Sequence, residues 1–169
     1  GWIMSEENFF KKALPFIDFF KVRASYGECG NDNVTPYLYN STFAVANNSM
    51  VLGNSAIAQF YSKNPYIYRN LTWSTTKSYN LGIDFNLLNQ KLAVEFDVFY
   101  QLTEDILESK SGSYPTSLGG YYPSYQNSGK VDNRGFELTL RHNNRINKDW
   151  NYKLTGNFSF ARNRVLEKA

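Results

Sequence analysis

Residues 72–107 read TWSTTKSYNLGIDFNLLNQKLAVEFDVFYQLTEDIL, and this stretch decides the fold. In its first half Trp73, Thr75, Lys77, Tyr79, Leu81, Ile83, Phe85 and Leu87 fall on one face of an extended chain. Thr72, Ser74, Thr76, Ser78, Asn80, Gly82, Asp84 and Asn86 fall on the other. The second half sets Leu92, Val94, Phe96, Val98, Tyr100 and Leu102 against Glu95, Asp97, Gln101 and Thr103. Side chains on a strand alternate between faces, so each half is a strand with one oily and one wet side. A tight turn near Leu88–Lys91 joins them. Strands of soluble proteins average roughly five or six residues, and these run far longer. A tilted strand crossing a bilayer needs about 9–11 residues.

The same alternation extends outward along the chain. A strand is predicted over about Phe16–Gly27, with Phe20, Val22, Ala24 and Tyr26 opposite Lys21, Arg23 and Ser25. Another covers Val131 to about His142, with Phe136, Leu138 and Leu140 opposite Glu137, Thr139 and Arg141. The last covers about Trp150–Ala161, with Trp150, Tyr152, Leu154, Phe158 and Phe160 opposite Asn151, Lys153, Thr155, Asn157 and Ser159. Before them, residues 5–13 suit a short helix that Ser5 caps and Pro15 ends. Residues 28–36 form a turn region, 37–45 alternate weakly, and 46–71 make a long excursion with room for its own hairpin. A second long loop covers 108–130, and a short polar turn covers 143–148. Short and long joins therefore alternate. In a meander all short joins share one end, which is the asymmetry of outer-membrane barrels. Trp150 and Tyr152 would then mark the periplasmic rim, and Trp73, Tyr26 and Tyr100 the outer one.

Composition agrees. Aromatic residues make up 17% of the 169, almost all Phe and Tyr. Mean hydropathy is negative, and no apolar run approaches the roughly 20 residues of a spanning helix. A barrel gives this result too, because its oily residues are interleaved with polar ones. A net charge of +3 from scattered Lys and Arg makes no stripe for nucleic acid. Cys29 is the sole cysteine and His142 the sole histidine, so neither an internal disulfide nor a Cys/His metal site is expected. No cofactor is implied. Asp84, Glu95 and Asp97 form no obvious acid/base pair, and Gly119-Gly120 precedes tyrosines, not a phosphate-binding helix. Asn40-Ser41-Thr42, Asn70-Leu71-Thr72 and Asn157-Phe158-Ser159 match a glycosylation triplet too short to carry weight.

Five blocks carry a family resemblance. They are Phe20-Lys21-Val22-Arg23-Ala24-Ser25-Tyr26-Gly27 with Gly30-Asn31-Asp32; Asn64-Pro65 with Leu71 through Phe85; Asp97-Val98-Phe99-Tyr100 on to Leu107; Asn127, Gly129 and Val131 with Asn133-Arg134-Gly135-Phe136-Glu137; and Asn157-Phe158-Ser159 with Arg162-Asn163. Trp2 with Ser5-Glu6-Glu7 and Phe10 resembles the entry to this region. In this order they resemble the SusC/RagA family of TonB-dependent transporters of Bacteroidota, over nearly the whole chain. The resemblance implies a many-stranded outer-membrane barrel of a Gram-negative cell, with a plug and a SusD-like surface lipoprotein as partner. It further implies an energising TonB complex and import of oligosaccharides or peptides as nutrients.

The expected fold is therefore all-β: four or five long strands in an antiparallel meander, one segment of a transmembrane β-barrel, with a short N-terminal helix. Residues 1–15 form the helix and turn, and 16–169 the barrel strands and external loops. Neither plug nor TonB box is recognisable, and the chain reads as cut from a longer polypeptide. Taken alone, it would present open edges and oily surface, which invite self-association. Lys21, Arg23, Glu95, Asp97, Glu137, Arg141 and Lys153 would face the lumen, touching plug or solute or merely keeping the lumen wet. Tyr114, Tyr121, Tyr122 and Tyr125 of the second loop would contact a glycan or peptide ligand, or pack on neighbouring loops and the lipoprotein. The first rival is a soluble β-sandwich that binds carbohydrate, with the oily faces sealed together inside. The second is a glycosidase, for which no acidic residue is nominated.

Overall fold

The computed structural model describes residues 1–34, 36–62, 70–110, 114–118 and 125–168. Among them, five strands are long: β2 (Ile17–Asn31), β5 (Ser74–Leu87), β6 (Leu92–Ser109), β7 (Tyr125–Arg145) and β8 (Asn151–Glu167). With the short β1 (Trp2–Ile3) they make a six-stranded sheet in the order β1-β2-β5-β6-β7-β8. It is an open meander in which each long strand lies beside the next long one in sequence. Strands β3 (Phe43–Leu52) and β4 (Ser55–Ser62) form a separate antiparallel hairpin. Gly53, at φ 65°, opens its two-residue turn, a conformation that glycine adopts without penalty.

Several boundaries move from where local signals put them. Gly30 and Asn31 read as turn, yet β2 continues through both. The hairpin β3–β4 occupies most of the stretch read as a long excursion. Strand β7 starts at Tyr125, not Val131, and includes Asn127 and Gly129. In each case a ladder with a neighbouring strand outweighs weak local turn propensity. Ser5 does not cap the helix. It sits within a 3-10 turn, Met4–Glu6, and its Oγ is buried without a hydrogen-bond partner. Helix α1 (Asn8–Ala13) starts after Glu7, with no side-chain cap. The helix is held instead by packing: Phe10 is buried and stacks on Phe20 of β2 at 5.2 Å between ring centres.

The chain clusters into two compact units. One holds Gly1–Cys29, Thr76–Thr103 and Val131–Val165, and the other Gly30–Thr75, Glu104–Lys130 and Leu166–Ala169. Among the described residues the buried apolar side chains are Phe10 and Val94. Leu81, Leu154, Phe158 and Phe160 are all more than half exposed, at 53, 64, 59 and 54%. A β-sandwich would interleave such side chains between two sheets. Here they stand uncovered on one face, so the soluble-sandwich expectation fails at the packing level.

The β5–β6 turn carries local strain. Leu88, Asn89 and Gln90 all have positive φ, at 59°, 55° and 64°. Asparagine tolerates this region, but leucine and glutamine rarely enter it. The turn is pinned because the Gln90 N–H donates to Asp18 Oδ2 at 2.9 Å and the Lys91 N–H to Leu88 O at 3.3 Å. Glycine at position 90 keeps that N–H and removes the Cβ penalty. Gln90→Gly should therefore raise the unfolding free energy by about 1 kcal/mol and move the denaturant midpoint upward. Gln90→Val, branched at Cβ, should lower it. Equal midpoints for the two variants would show that the turn stores no strain.

Candidate functional site

The wet face of the first unit is a set of cross-strand rungs. Arg23 on β2 forks onto Asp84 of β5, with Nε to Oδ2 at 2.8 Å and Nη2 to Oδ1 at 2.7 Å. The same Nη2 donates to Asp97 Oδ2 of β6 at 2.9 Å. One guanidinium thus ties three strands. Gly82 of β5 makes this possible. A Cβ built there would overlap Asp97 Oδ1 and lie 2.8 Å from the Arg23 guanidinium carbon. Arg141 of β7 forks onto Glu95 of β6 at 2.6 and 3.2 Å. Asn133 Nδ2 donates to Gln101 Oε1 at 3.3 Å, and the Thr76 and Thr103 hydroxyls meet at 2.9 Å. Cross-strand pairs of this kind contribute about 0.2–1 kcal/mol each. Bidentate, charge-assisted contacts sit at the stronger end.

Sequence-predicted lumen residues therefore divide in two. Arg23, Asp97, Glu95 and Arg141 are brought together in pairs. Lys21 lies beside Arg23 in a shallow hollow of about 260 Å³. Glu137 and Lys153 are exposed and in no ion pair among the described residues. Asp84 and Asp97 share one guanidinium. No cluster of metal-ligating side chains occurs among the described residues. His142 packs against Tyr152, ring centres 5.5 Å apart.

The opposite face carries aromatic ladders. Tyr26, Tyr79 and Tyr100 run across β2, β5 and β6 with centroid spacings of 5.0 and 6.3 Å. Phe96, Phe136 and Phe158 run across β6, β7 and β8 at 6.1 and 5.8 Å. Rings at such spacings add about 0.5–1.5 kcal/mol per pair beyond area burial.

The second unit contains an aromatic pocket of about 460 Å³, lined by Val34, Tyr37, Tyr39, Leu71, Trp73 and Leu107 among others. Tyr114 is half-buried and Tyr125, the first residue of β7, is exposed. Neither lines this pocket. Tyr121 and Tyr122 lie outside the described residues. Asn127 acts as a clip within this unit. Its Nδ2 donates to Thr72 O at 2.8 Å and to Asp105 O at 2.7 Å, while its Oδ1 accepts the Thr72 N–H at 3.0 Å. Asp105 has φ 58° inside β6, which turns its carbonyl out of the ladder and towards that amide. A side-chain amide carries both donor and acceptor, so it can stand in for a neighbouring backbone.

A family model described as "TonB dependent receptor-like, beta-barrel" matches residues 8–168. The chain belongs to this family. It is a family of receptors and transporters, not of enzymes. TonB-dependent receptor P3 of Formosa agariphila is 31% identical over 174 residues, covering 99% of this chain and 16% of that protein. TonB-dependent receptor SusC of Bacteroides thetaiotaomicron is 26% identical over 168 residues, again 99% of this chain and 16% of that protein. The solved RagAB peptide importer in its open-open state matches with a TM-score of 0.78 at 23% identity, over 97% of this chain and 17% of that one. A second structure, of the RagAB peptide transporter, gives 0.73. At that identity the likeness concerns fold. This TonB-dependent receptor segment spans about a sixth of the length of the relatives it matches, 16% of each of the two named.

Sequence reasoning put these charged residues on one face but missed what lets them pair. Gly82 read only as one more small residue on the wet face, although a glycine between Asn80 and Asp84 is itself a signal of close approach. The pocket residues Tyr37 and Tyr39 were likewise overlooked beside the denser tyrosines of the second loop. Two outcomes follow for the intact receptor. Gly82→Ala should destabilise it by about 2 kcal/mol, and Asp97→Ala in the same chain should recover part of the loss; strict additivity of the two changes would refute the crossing. Asn127→Ala, which removes three hydrogen bonds, should lower the unfolding midpoint by about 2 kcal/mol. An unshifted midpoint would show that the clip is idle.

Proposed function

We propose that this segment is wall in an outer-membrane TonB-dependent importer of oligosaccharides or peptides. Its wet face lines the lumen and its oily face meets the bilayer. One observation carries the assignment: long strands whose oily side chains are uncovered on one face, while ion pairs and hydrogen bonds tie together the other. Water on both sides would make that arrangement costly, since each large apolar side chain left exposed forfeits about 1.5–3 kcal/mol. Hydrocarbon on one side removes the cost. Family membership supports the same assignment, and the RagAB likeness supports its fold. In this picture Asp18 and the turns at 88–91 and 146–150 lie at the periplasmic end of the first unit. Tyr37, Tyr39 and Trp73 join Tyr114 and Tyr125 as candidates for ligand contact. The plug and the segment that engages the TonB complex belong to other parts of the receptor, and a SusD-like lipoprotein is the expected partner at its outer mouth.

The lipid assignment is testable by cysteine substitution along β8 of the full receptor in cells, in a Cys29→Ser background. Asn157→Cys and Ser159→Cys should react with a water-soluble maleimide entering the lumen. Leu154→Cys and Phe158→Cys should stay unlabelled until detergent is added. Uniform labelling of all four, or the reverse alternation, would remove the bilayer from the account. For the transport step, deletion of the receptor should abolish growth on an oligosaccharide or peptide mixture as sole carbon source, and unchanged growth on every such mixture would refute import.

A further inference from the structure

The oily face of the first unit contains a groove of about 550 Å³ whose lining includes Phe96, Val98, Phe136 and Phe160, with Arg134 and Arg162 at its border. Its chemistry changes along the strands. Phe136 and Arg134 are two residues apart on β7, and Phe160 and Arg162 two apart on β8, so each pair shares a face. A short hairpin joins β7 to β8, which makes them antiparallel. Both arginines therefore lie on the same side of the phenylalanines, towards the start of β7 and the end of β8. The groove has an apolar floor and a cationic end.

Among the described residues the charge at that end is only partly balanced. Asp132, almost fully buried, is the nearby carboxylate. Arg134 Nε lies 3.7 Å from its Oδ2 and Arg164 Nε 3.8 Å from its Oδ1. Both separations exceed hydrogen-bond length, and Asp132 Oδ1 takes no hydrogen bond. Arg162 is exposed and in no ion pair among the described residues. Two guanidiniums, of Arg134 and Arg164, thus flank one carboxylate, and Arg162 adds a third cation on the same face of β8 at the margin of an apolar band. Uncompensated charge at such a margin is costly, and guanidinium forks match phosphate oxygens two at a time.

We infer that this groove is a binding site for a phosphate-bearing membrane lipid, an acyl chain lying on Phe96, Val98, Phe136 and Phe160 and the phosphate held by Arg134 and Arg162. The site rests on the assignment of the oily face to the bilayer, and adds to it a head-group preference that plain hydrocarbon contact lacks. Gly135 helps to shape it, because a Cβ there would meet the Phe99 ring at 2.8 Å and overlap the Phe160 carbonyl oxygen. Arginines that merely reach past the oily band to water would show no such preference.

The test uses the full-length receptor in detergent micelles, with bimane on Val98→Cys in a background free of other cysteines. Nitroxide-chain phosphatidylglycerol should quench it at mole fractions roughly fivefold below those needed for phosphatidylcholine with the same chains. Arg134→Gln with Arg162→Gln should equalise the two lipids, and Arg134→Lys with Arg162→Lys should retain much of the preference. Millimolar inorganic phosphate should leave it intact. Equal quenching in the parent receptor, a preference that survives the glutamine pair, or loss of preference to free phosphate would each overturn the lipid site while leaving the bilayer assignment standing. Absence of quenching by either lipid would overturn both.

Discussion

A strand satisfies its backbone sideways, through neighbouring strands, and leaves its two faces to meet whatever lies above and below. That constraint governs everything in this chain. Once the ladder is in place, the faces are free to specialise for different surroundings, and here they largely do so. Charged and amide side chains pair with one another across β2, β5, β6 and β7. On the reverse, rings of tyrosine and phenylalanine meet at tilted angles and stay partly exposed. A soluble protein of this size would fold the second surface inward. Among the described residues only Phe10 and Val94 are buried apolar side chains, which leaves the hydrophobic contribution that would stabilise a globule little centre in which to act.

The wet face shows how a polar wall is kept in register. A single guanidinium on β2 reaches past β5 to a carboxylate on β6, and glycine at position 82 is what opens the passage. Without Arg23, Asp84 and Asp97 would face each other as like charges. The three-strand rung therefore combines attraction with a built-in penalty for its own loss. The Glu95–Arg141 fork repeats the idea between β6 and β7. Register matters in such a sheet because a slip of one residue would exchange the faces, placing Arg23 on the oily side and Phe20 on the wet one.

Much of this was legible from residue order alone. Period-two alternation gave the long strands, the faces and the alternating joins, because the alternation is dictated by geometry that every strand obeys. Strand ends were less legible. Asn31, Asn127 and Gly129 carry turn propensity, yet each lies in a ladder whose partner is tens of residues away, and no local pattern records that partner. Ser5 looked like a cap because caps are local, but packing of Phe10 on Phe20 decided where the helix sits. The Arg23 crossing, the Asn127 clip and the aromatic pocket depend on side chains from separate strands or segments meeting at angstrom precision, which a linear pattern cannot encode. Tyr114 and Tyr125 were prominent by density, whereas Tyr37 and Tyr39 became prominent only when placed beside Trp73.

The two edges of the open sheet add one more demand. Strand β8 ends the ladder on one side, with nearly all its side chains exposed, and β1 with β2 ends it on the other. In water an unpaired edge is tolerable, because solvent completes its hydrogen bonds. In hydrocarbon each unpaired N–H or C=O costs several kcal/mol, and over the length of β8 that sum would exceed the stability of an ordinary domain. A sheet that places its oily face in a bilayer must therefore meet further strands at both edges. That demand follows from the proposed bilayer setting, and the small share of each relative's length that the chain covers fits it.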